Sequence, residues 1–288
     1  DGGVPGGITR LSVFGGLGYF VIEDVFRVLG AKVTRFCLRR RGPFPTEADA
    51  EKASPVRLHY YSRVVLKTTA FLLVSGTAVV FFLEAGNTVW KGDSFSERAL
   101  TALFQSVTSR TAGFATVDMA HLTDATLLAT IVLMFIGGSP GSSAGGIKTT
   151  TFRILWSNLV AQLRGHGQVV VAGRAMAPRI CNKAMLLFGW AVLTVVFATF
   201  ALMLTENGGA HYGASPVRFM DIFFEVVSAF GTVGLSINLT PHLSDAGKCI
   251  LCAVMFVGKL GPVWLITTIQ QFQTEPAYRY PEETMPVG

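Results

Sequence analysis

Two four-residue segments of this chain have the make-up of backbone that coordinates a cation. Thr111, Ala112, Gly113 and Phe114 form the first; Thr232, Val233, Gly234 and Leu235 form the second, 121 residues further on. Each sets one central glycine among small or apolar neighbours. A selectivity filter turns several carbonyls onto one axis in place of an ion's hydration shell, and glycine permits the dihedrals this requires. A single such segment reads as an ordinary turn. The recurrence changes that reading, because a stretch patterned as a short helix (residues 96–109 and 218–229) precedes each segment and an apolar run follows each in one register. A helix that ends just before the segment aims the negative end of its dipole at a bound cation and repels anions.

A third feature lies beyond the first apolar run. Residues 137–146, GGSPGSSAGG, hold Pro140 and five glycines, so a continuous helix is not expected there. Irregular backbone at membrane depth is tolerated only where it is buried in protein or lines a watery cavity. The bland alternative is a helix end in the cytoplasm, which would leave the preceding run barely long enough to cross. Lys259 falls near the middle of the last apolar run, 246–270. A charge at that depth costs roughly 2.5–3.5 kcal/mol, which marks it either as functional or as a lysine paired with carbonyls for packing. Arg110, beside the first segment, is a tether to short-helix carboxylates or an ion-facing cation.

The elements that must position these residues look like membrane helices. Half of the 288 residues are hydrophobic and only 15% are charged, with a positive mean hydropathy of +0.48; soluble domains carry about 25% charged residues. Spans are expected at 8–29, 64–83, 122–136, 184–204 and 246–270, given that about 20 apolar residues cross a bilayer. The net charge of +6 does not point to nucleic acid, because lysines and arginines gather between the runs, as in cytoplasmic loops. Ser96, with Glu97 and Arg98 after it, reads as the start of the first short helix.

Internal repetition ties these elements together. HLTDATLLATIVLMFIGGSPG at 121–141 aligns without a gap on HLSDAGKCILCAVMFVGKLGP at 242–262, and FGGLG at 14–18 matches VGKLG at 257–261. The unit is outward span, short re-entrant helix, extended segment, inward span. Two complete units and the end of another are present, so the expectation is that further chain precedes Asp1.

Two other motifs point elsewhere and fail. Gly141 to Gly146 with Lys148 and Thr149 has glycine spacing like a phosphate loop, but Ile147 breaks the required Gly-Lys pair and no buried strand precedes it. Cys249 and Cys252 form a CxxC without a second ligand pair, so small buried residues are the reading here rather than a metal or redox site. With no nucleotide site there is no basis for an ATP-driven pump, and a non-transporting scaffold would not need the two segments repeated in register.

The segments SRTAGFATVD (109–118), MFIGGSPGSSAGGIKTTTF (134–152), SAFGTVGLS (228–236), MFVGKLGP (255–262) and YPEE (280–283) together resemble the Trk/Ktr/HKT superfamily of potassium and sodium transporters, most closely its KtrB-type membrane subunits. The resemblance covers essentially the whole chain. It implies an all-α polytopic membrane protein, not an enzyme, in which repeated helix–pore-loop–helix units surround a pseudo-fourfold ion pore. On it, residues 1–30 are the inner helix of repeat two, 31–63 a cytoplasmic linker and 64–152 repeat three with its filter and intramembrane gate loop. Residues 153–183 are then a cytoplasmic connection, 184–272 repeat four with its filter, and 273–288 a cytoplasmic C-terminal tail. The implied potassium ligands are the filter carbonyls of Thr111, Ala112, Gly113, Phe114, Thr232, Val233, Gly234 and Leu235. The implied gate comprises Gly137, Gly138, Ser139, Pro140, Gly141, Gly145, Gly146, Lys148 and Lys259, where the family usually has arginine at the last position. One glycine per filter favours potassium; some plant relatives with serine admit sodium, so a sodium-permeable or sodium/potassium-coupled transporter is the alternative. The resemblance also implies the cell membrane as location with surrounding lipid, a homodimer with the tail near the partner, a cytosolic nucleotide-binding ring of KtrA/TrkA type as regulator, and no cofactor beyond the transported ion. The basic residues of 150–183 are a plausible docking surface for that ring.

Overall fold

A computed structural model describes residues 3–40, 57–87, 94–208 and 217–271. The tail at 273–288 lies outside the described residues, as do most of the linker and parts of two outer connections. The described chain is mostly helical: α1 (Gly3–Leu17), α2 (Tyr19–Arg40), α3 (Tyr60–Leu83), α4 (Phe95–Thr108), α5 (Asp124–Phe135), α6 (Thr149–Leu163), α7 (Pro178–Asn207), α8 (Phe219–Gly231) and α9 (Asp245–Gln271).

The order long helix, short helix, extended segment, 3-10 turn, helix occurs twice. It runs from α3 to α5 and again from α7 to α9, with the turns Met119–His121 and Thr240–His242 again 121 residues apart. α3 and α7 are long and apolar enough to cross a membrane; α5 is apolar but shorter. Their outward faces carry Phe71, Val74, Phe82, Leu193, Phe197 and Phe200, all more than half exposed. A soluble chain does not coat its long helices this way; such faces belong against hydrocarbon or an apolar partner.

Polar residues set the helix starts. Ser94 caps α4 in a capping box with Glu97, which places the start two residues ahead of Ser96, since both orphan amide groups find partners only in that arrangement. Thr123 caps α5, and Pro178 opens α7 with Gly208 in the left-handed region as its C-cap. The main core surrounds α8, whose Ile222, Phe224, Val226, Val227 and Phe230 are almost wholly buried among α5, α7 and α9.

Three expectations need correction. The run 8–29 is not one span: Gly18, at φ +79, separates α1 from α2, and a side chain there would collide with the carbonyl oxygen of Pro140 at 2.7 Å. Helix α2 then continues to Arg40, ten residues into the expected linker. The connection after 153 is not plain loop. Phe152, Leu155, Trp156, Leu159 and Leu163 recur at helical spacing and form α6, which is followed by a two-stranded hairpin, β1 (Val170–Val171) with β2 (Arg174–Ala175). Finally, Cys249 and Cys252 are exposed free thiols rather than small buried residues; no metal-binding group of side chains occurs among the described residues.

Candidate functional site

The two extended segments share an unusual backbone. Thr111 and Gly113 have φ of 75° and 73°, and Thr232 and Gly234 have φ of 50° and 89°. The left-handed region is uncommon for threonine and costs energy unless the surroundings enforce it. Its recurrence at the same two positions in both copies means that each segment reverses its backbone direction in the same way. The segments also meet: a Cβ on Gly113 would sit 2.6 Å from the carbonyl oxygen of Val233, and one on Gly234 would lie 3.5 Å from Gly113 Cα. The two copies therefore meet at these glycines, with a close approach at Gly113 and ordinary contact distance at Gly234.

Each segment is anchored behind by its short helix. The Thr108 hydroxyl donates to the Phe114 carbonyl at 2.5 Å, and the Ser228 hydroxyl donates to the Leu235 carbonyl at 2.6 Å. One lone pair of each of these carbonyls is thus committed to the helix, so Phe114 and Leu235 anchor the segment ends. Carbonyls 111–113 and 232–234 stand between those anchors and the helix ends. In the second copy the buried carboxylate of Glu225 adds a brace, accepting from the Ser236 hydroxyl, from Ile237 N at 3.1 Å and from the Thr240 hydroxyl at 2.8 Å. The first copy has Gln105 instead, whose amide donates to the Met119 sulfur at 3.2 Å.

Between α5 and α6 the chain runs without helix from Ile136 to Lys148, closed at its neck by a parallel bridge between Ile136 and Ile147. Bonds from several walls hold this loop. Ser139 N donates to Gly16 O at 3.0 Å and Tyr19 N to Gly141 O at 3.2 Å, at the α1–α2 break. The Tyr61 hydroxyl donates to Pro140 O at 3.1 Å. Gly145 N donates to the Thr232 hydroxyl at 3.0 Å, linking the loop directly to the second extended segment. Lys259 Nζ donates to Ser143 O at 3.0 Å, and Lys148 Nζ donates to the next carbonyl, Ala144. The chain thus brings together Gly137 to Gly146, Lys148 and Lys259, all singled out from the sequence. Arg110 joins them by a route the sequence did not suggest. It is buried and donates to Gly137 O at 3.1 Å, not to a short-helix carboxylate, so it connects the first segment to the loop.

Sequence reading also missed a pair of clasps at the opposite end. Glu84, just past α3, is fully buried and accepts from Thr123 N at 3.0 Å, from the Thr123 hydroxyl at 2.9 Å and from the Asn87 amide. Glu206, near the end of α7, accepts from Ser244 N at 3.1 Å and the Ser244 hydroxyl at 2.6 Å. Thr123 and Ser244 are 121 residues apart, but the two acids are 122 apart, and this one-residue slip hides the motif from an ungapped comparison.

Residues 7–275 match the family model described as TrkH, cation transport protein. The chain is 36% identical to Ktr system potassium uptake protein B of Vibrio alginolyticus, over 98% of this chain and 55% of that protein. It is 33% identical to the potassium/sodium uptake protein NtpJ of Enterococcus hirae, over 98% of this chain and 56% of that protein. In fold it is similar to the crystal structure of the potassium transporter TrkH from Vibrio parahaemolyticus, with a TM-score of 0.60 at 21% identity, covering 88% of this chain and 53% of that one. The chain therefore spans just over half the length of the relatives it matches.

Proposed function

The chain belongs to the TrkH cation transport protein family, and from that premise we propose that it forms part of a passive, potassium-selective path across the cell membrane. The observation that carries this reading is the matched pair of left-handed positions, Thr111 with Gly113 and Thr232 with Gly234. They lie in two segments that touch, each behind a short helix and ahead of an apolar one. Carbonyls 111–113 and 232–234 are two parts of a filter, with Phe114 and Leu235 as its anchored rim. In the whole protein, repeated helix–pore-loop–helix units would surround the path with pseudo-fourfold symmetry.

The loop from Gly137 to Gly146 is the gate, and Lys148 and Lys259 hold its apex by two successive carbonyls. Its bonds to Thr232 and Arg110 support this reading, since they would couple the loop mechanically to both filter segments. The spans are multi-pass with a cytoplasmic C-terminus. The assembly is a homodimer regulated by a cytosolic nucleotide-binding ring, in keeping with relatives that bear the name of a Ktr system.

Rubidium uptake into liposomes carrying the full-length protein tests the filter. Gly113→Ser and Gly234→Ser together force side chains into left-handed backbone at the point where the segments meet. Uptake or potassium-over-sodium preference should fall at least tenfold; unchanged uptake and preference would sink the reading. The second reading, a sodium-permeable or sodium/potassium-coupled path, is favoured by the name of the Enterococcus relative. Rubidium uptake that requires sodium on the same side would select it.

A further inference from the structure

We infer that the cleft between α3 and α6 is a binding site for the headgroup of an anionic phospholipid. The cleft has a volume of about 230 Å³ and is lined by Lys67, Phe71, Phe152, Arg153 and Trp156, with Ala172 of the hairpin turn at its end. Lys67 lies two turns into α3, about 10 Å along the helix from Tyr60. In a helix long and apolar enough to cross a membrane, a lysine there is costly unless something meets its charge. No salt bridge or hydrogen bond to Lys67 or to Arg153 occurs among the described residues. Two unpaired cations thus share one cleft with three aromatic side chains.

That combination specifies its occupant. The cations call for an anion that both can reach, and the exposed rings of Phe71 and Trp156 call for hydrocarbon beside it. Trp at this level is the usual marker of a membrane–water boundary, and a lysine stem lies along apolar surface while its ammonium reaches for a polar group. A phospholipid phosphate with its acyl chain against Phe71 satisfies both requirements; a free anion satisfies only the first. The cleft is also shaped from below. The Tyr60 hydroxyl donates to Val171 O and Arg174 stacks over the Tyr60 ring at 4.8 Å, so the hairpin is fastened against the start of α3. Arg153 and Trp156 further line a second hollow with Arg164, which extends the positive surface to the end of α6. Because α6 begins at Thr149, where the loop ends, an occupied cleft would brace the helix on which the loop is hinged.

The inference rests on the membrane reading above but is separable from it. Full-length protein in mild detergent is offered phosphatidylglycerol and phosphatidylcholine in equal amounts, and bound lipid is counted by native mass spectrometry alongside rubidium uptake by the same preparation. Wild-type protein should retain phosphatidylglycerol preferentially. Lys67→Gln with Arg153→Gln should reduce the preference about fivefold per cation removed, and Lys67→Arg with Arg153→Lys should keep it. An unchanged preference in the glutamine variant overturns the inference while uptake still stands as evidence for the ion path. Displacement by millimolar glycerol 3-phosphate as readily as by added lipid makes the site one for a soluble anion and also overturns it. So does loss of the cytosolic regulatory protein from the glutamine variant with lipid preference unchanged, since the cleft would then be a protein dock.

Discussion

Gly137 and Gly258 hold the same place in the two copies, 121 residues apart, yet they meet different neighbours. A Cβ on Gly258 would fall 1.9 Å from the carbonyl oxygen of Phe230, in the short helix of its own copy; a Cβ on Gly137 would fall 1.9 Å from the carbonyl oxygen of Gly145, inside the loop. The second copy uses its glycine to press an unbroken helix, α9, against α8. The first uses its glycine to fold a loop on itself. One equivalent position thus serves rigidity in one copy and local shape in the other. The same division appears behind the segments, where Glu225 braces the second copy with three bonds and Gln105 supports the first with one to sulfur.

The largest test of this contrast is alanine at each glycine. Gly258→Ala must push two helices apart, at a cost of about 3 kcal/mol or more, and should lower the melting temperature of the full-length protein and abolish rubidium uptake. Gly137→Ala meets backbone at the same 1.9 Å, but within one loop rather than between two helices, so it should change uptake and lower the melting temperature less than Gly258→Ala; equal melting losses would break the comparison. An intermediate effect is expected from the braces. Glu225→Gln replaces one acceptor by a donor and leaves a partly buried hydroxyl or the Ile237 amide without a partner, costing about 1–3 kcal/mol, whereas Gln105→Leu should cost less. Thermal unfolding with amide exchange at Ile237 reads the difference.

The smallest effect concerns the two clasps. Burial alone would raise the Glu84 carboxyl, but hydrogen bonds from Thr126, Thr123 and Asn87 outweigh it and hold the group below the ordinary glutamate range. A depressed folded-state value stabilises the protein above the ordinary glutamate range, and that contribution is lost as pH falls through the folded-state value. Glu84→Gln should therefore lower the melting temperature by a few degrees at pH 7 and by less at pH 4. Glu206→Gln, at a half-exposed site, should do less at either pH.

Much of this architecture was legible from residue types. The doubled order of elements, the two segments and the broken stretch at 137–146 all follow from apolar runs punctuated by glycine, a signal carried by local chemistry. What escaped depended on contacts between distant residues. Nothing near Arg110 names Gly137 as its partner, and the Glu84 and Glu206 clasps are offset by one residue between copies. The break at Gly18 was hidden because 8–29 stays apolar through it, and α6 was obscured by basic residues that read as loop. Pro262 teaches the converse: α9 runs through it to Gln271, whereas α5 stops at Phe135 before five glycines, so glycine density rather than proline decides which copy unwinds.

Six hydrogen bonds reach the loop from parts of the chain remote from it in sequence, from the α1–α2 break, Tyr61, Arg110, Thr232 and Lys259. At about 1 kcal/mol net for each neutral bond and about 1.5–3 kcal/mol for those donated by Arg110 and Lys259, none of them alone retains the loop, but together they leave a displaced form at a population on the order of 10⁻⁵ or less. Such a restraint answers to addition: losing any two of the neutral bonds, on whatever wall, raises that population by the same factor of about thirty. Signals arriving from different sides of the molecule would then register in one common equilibrium, with no need of a dedicated line between them.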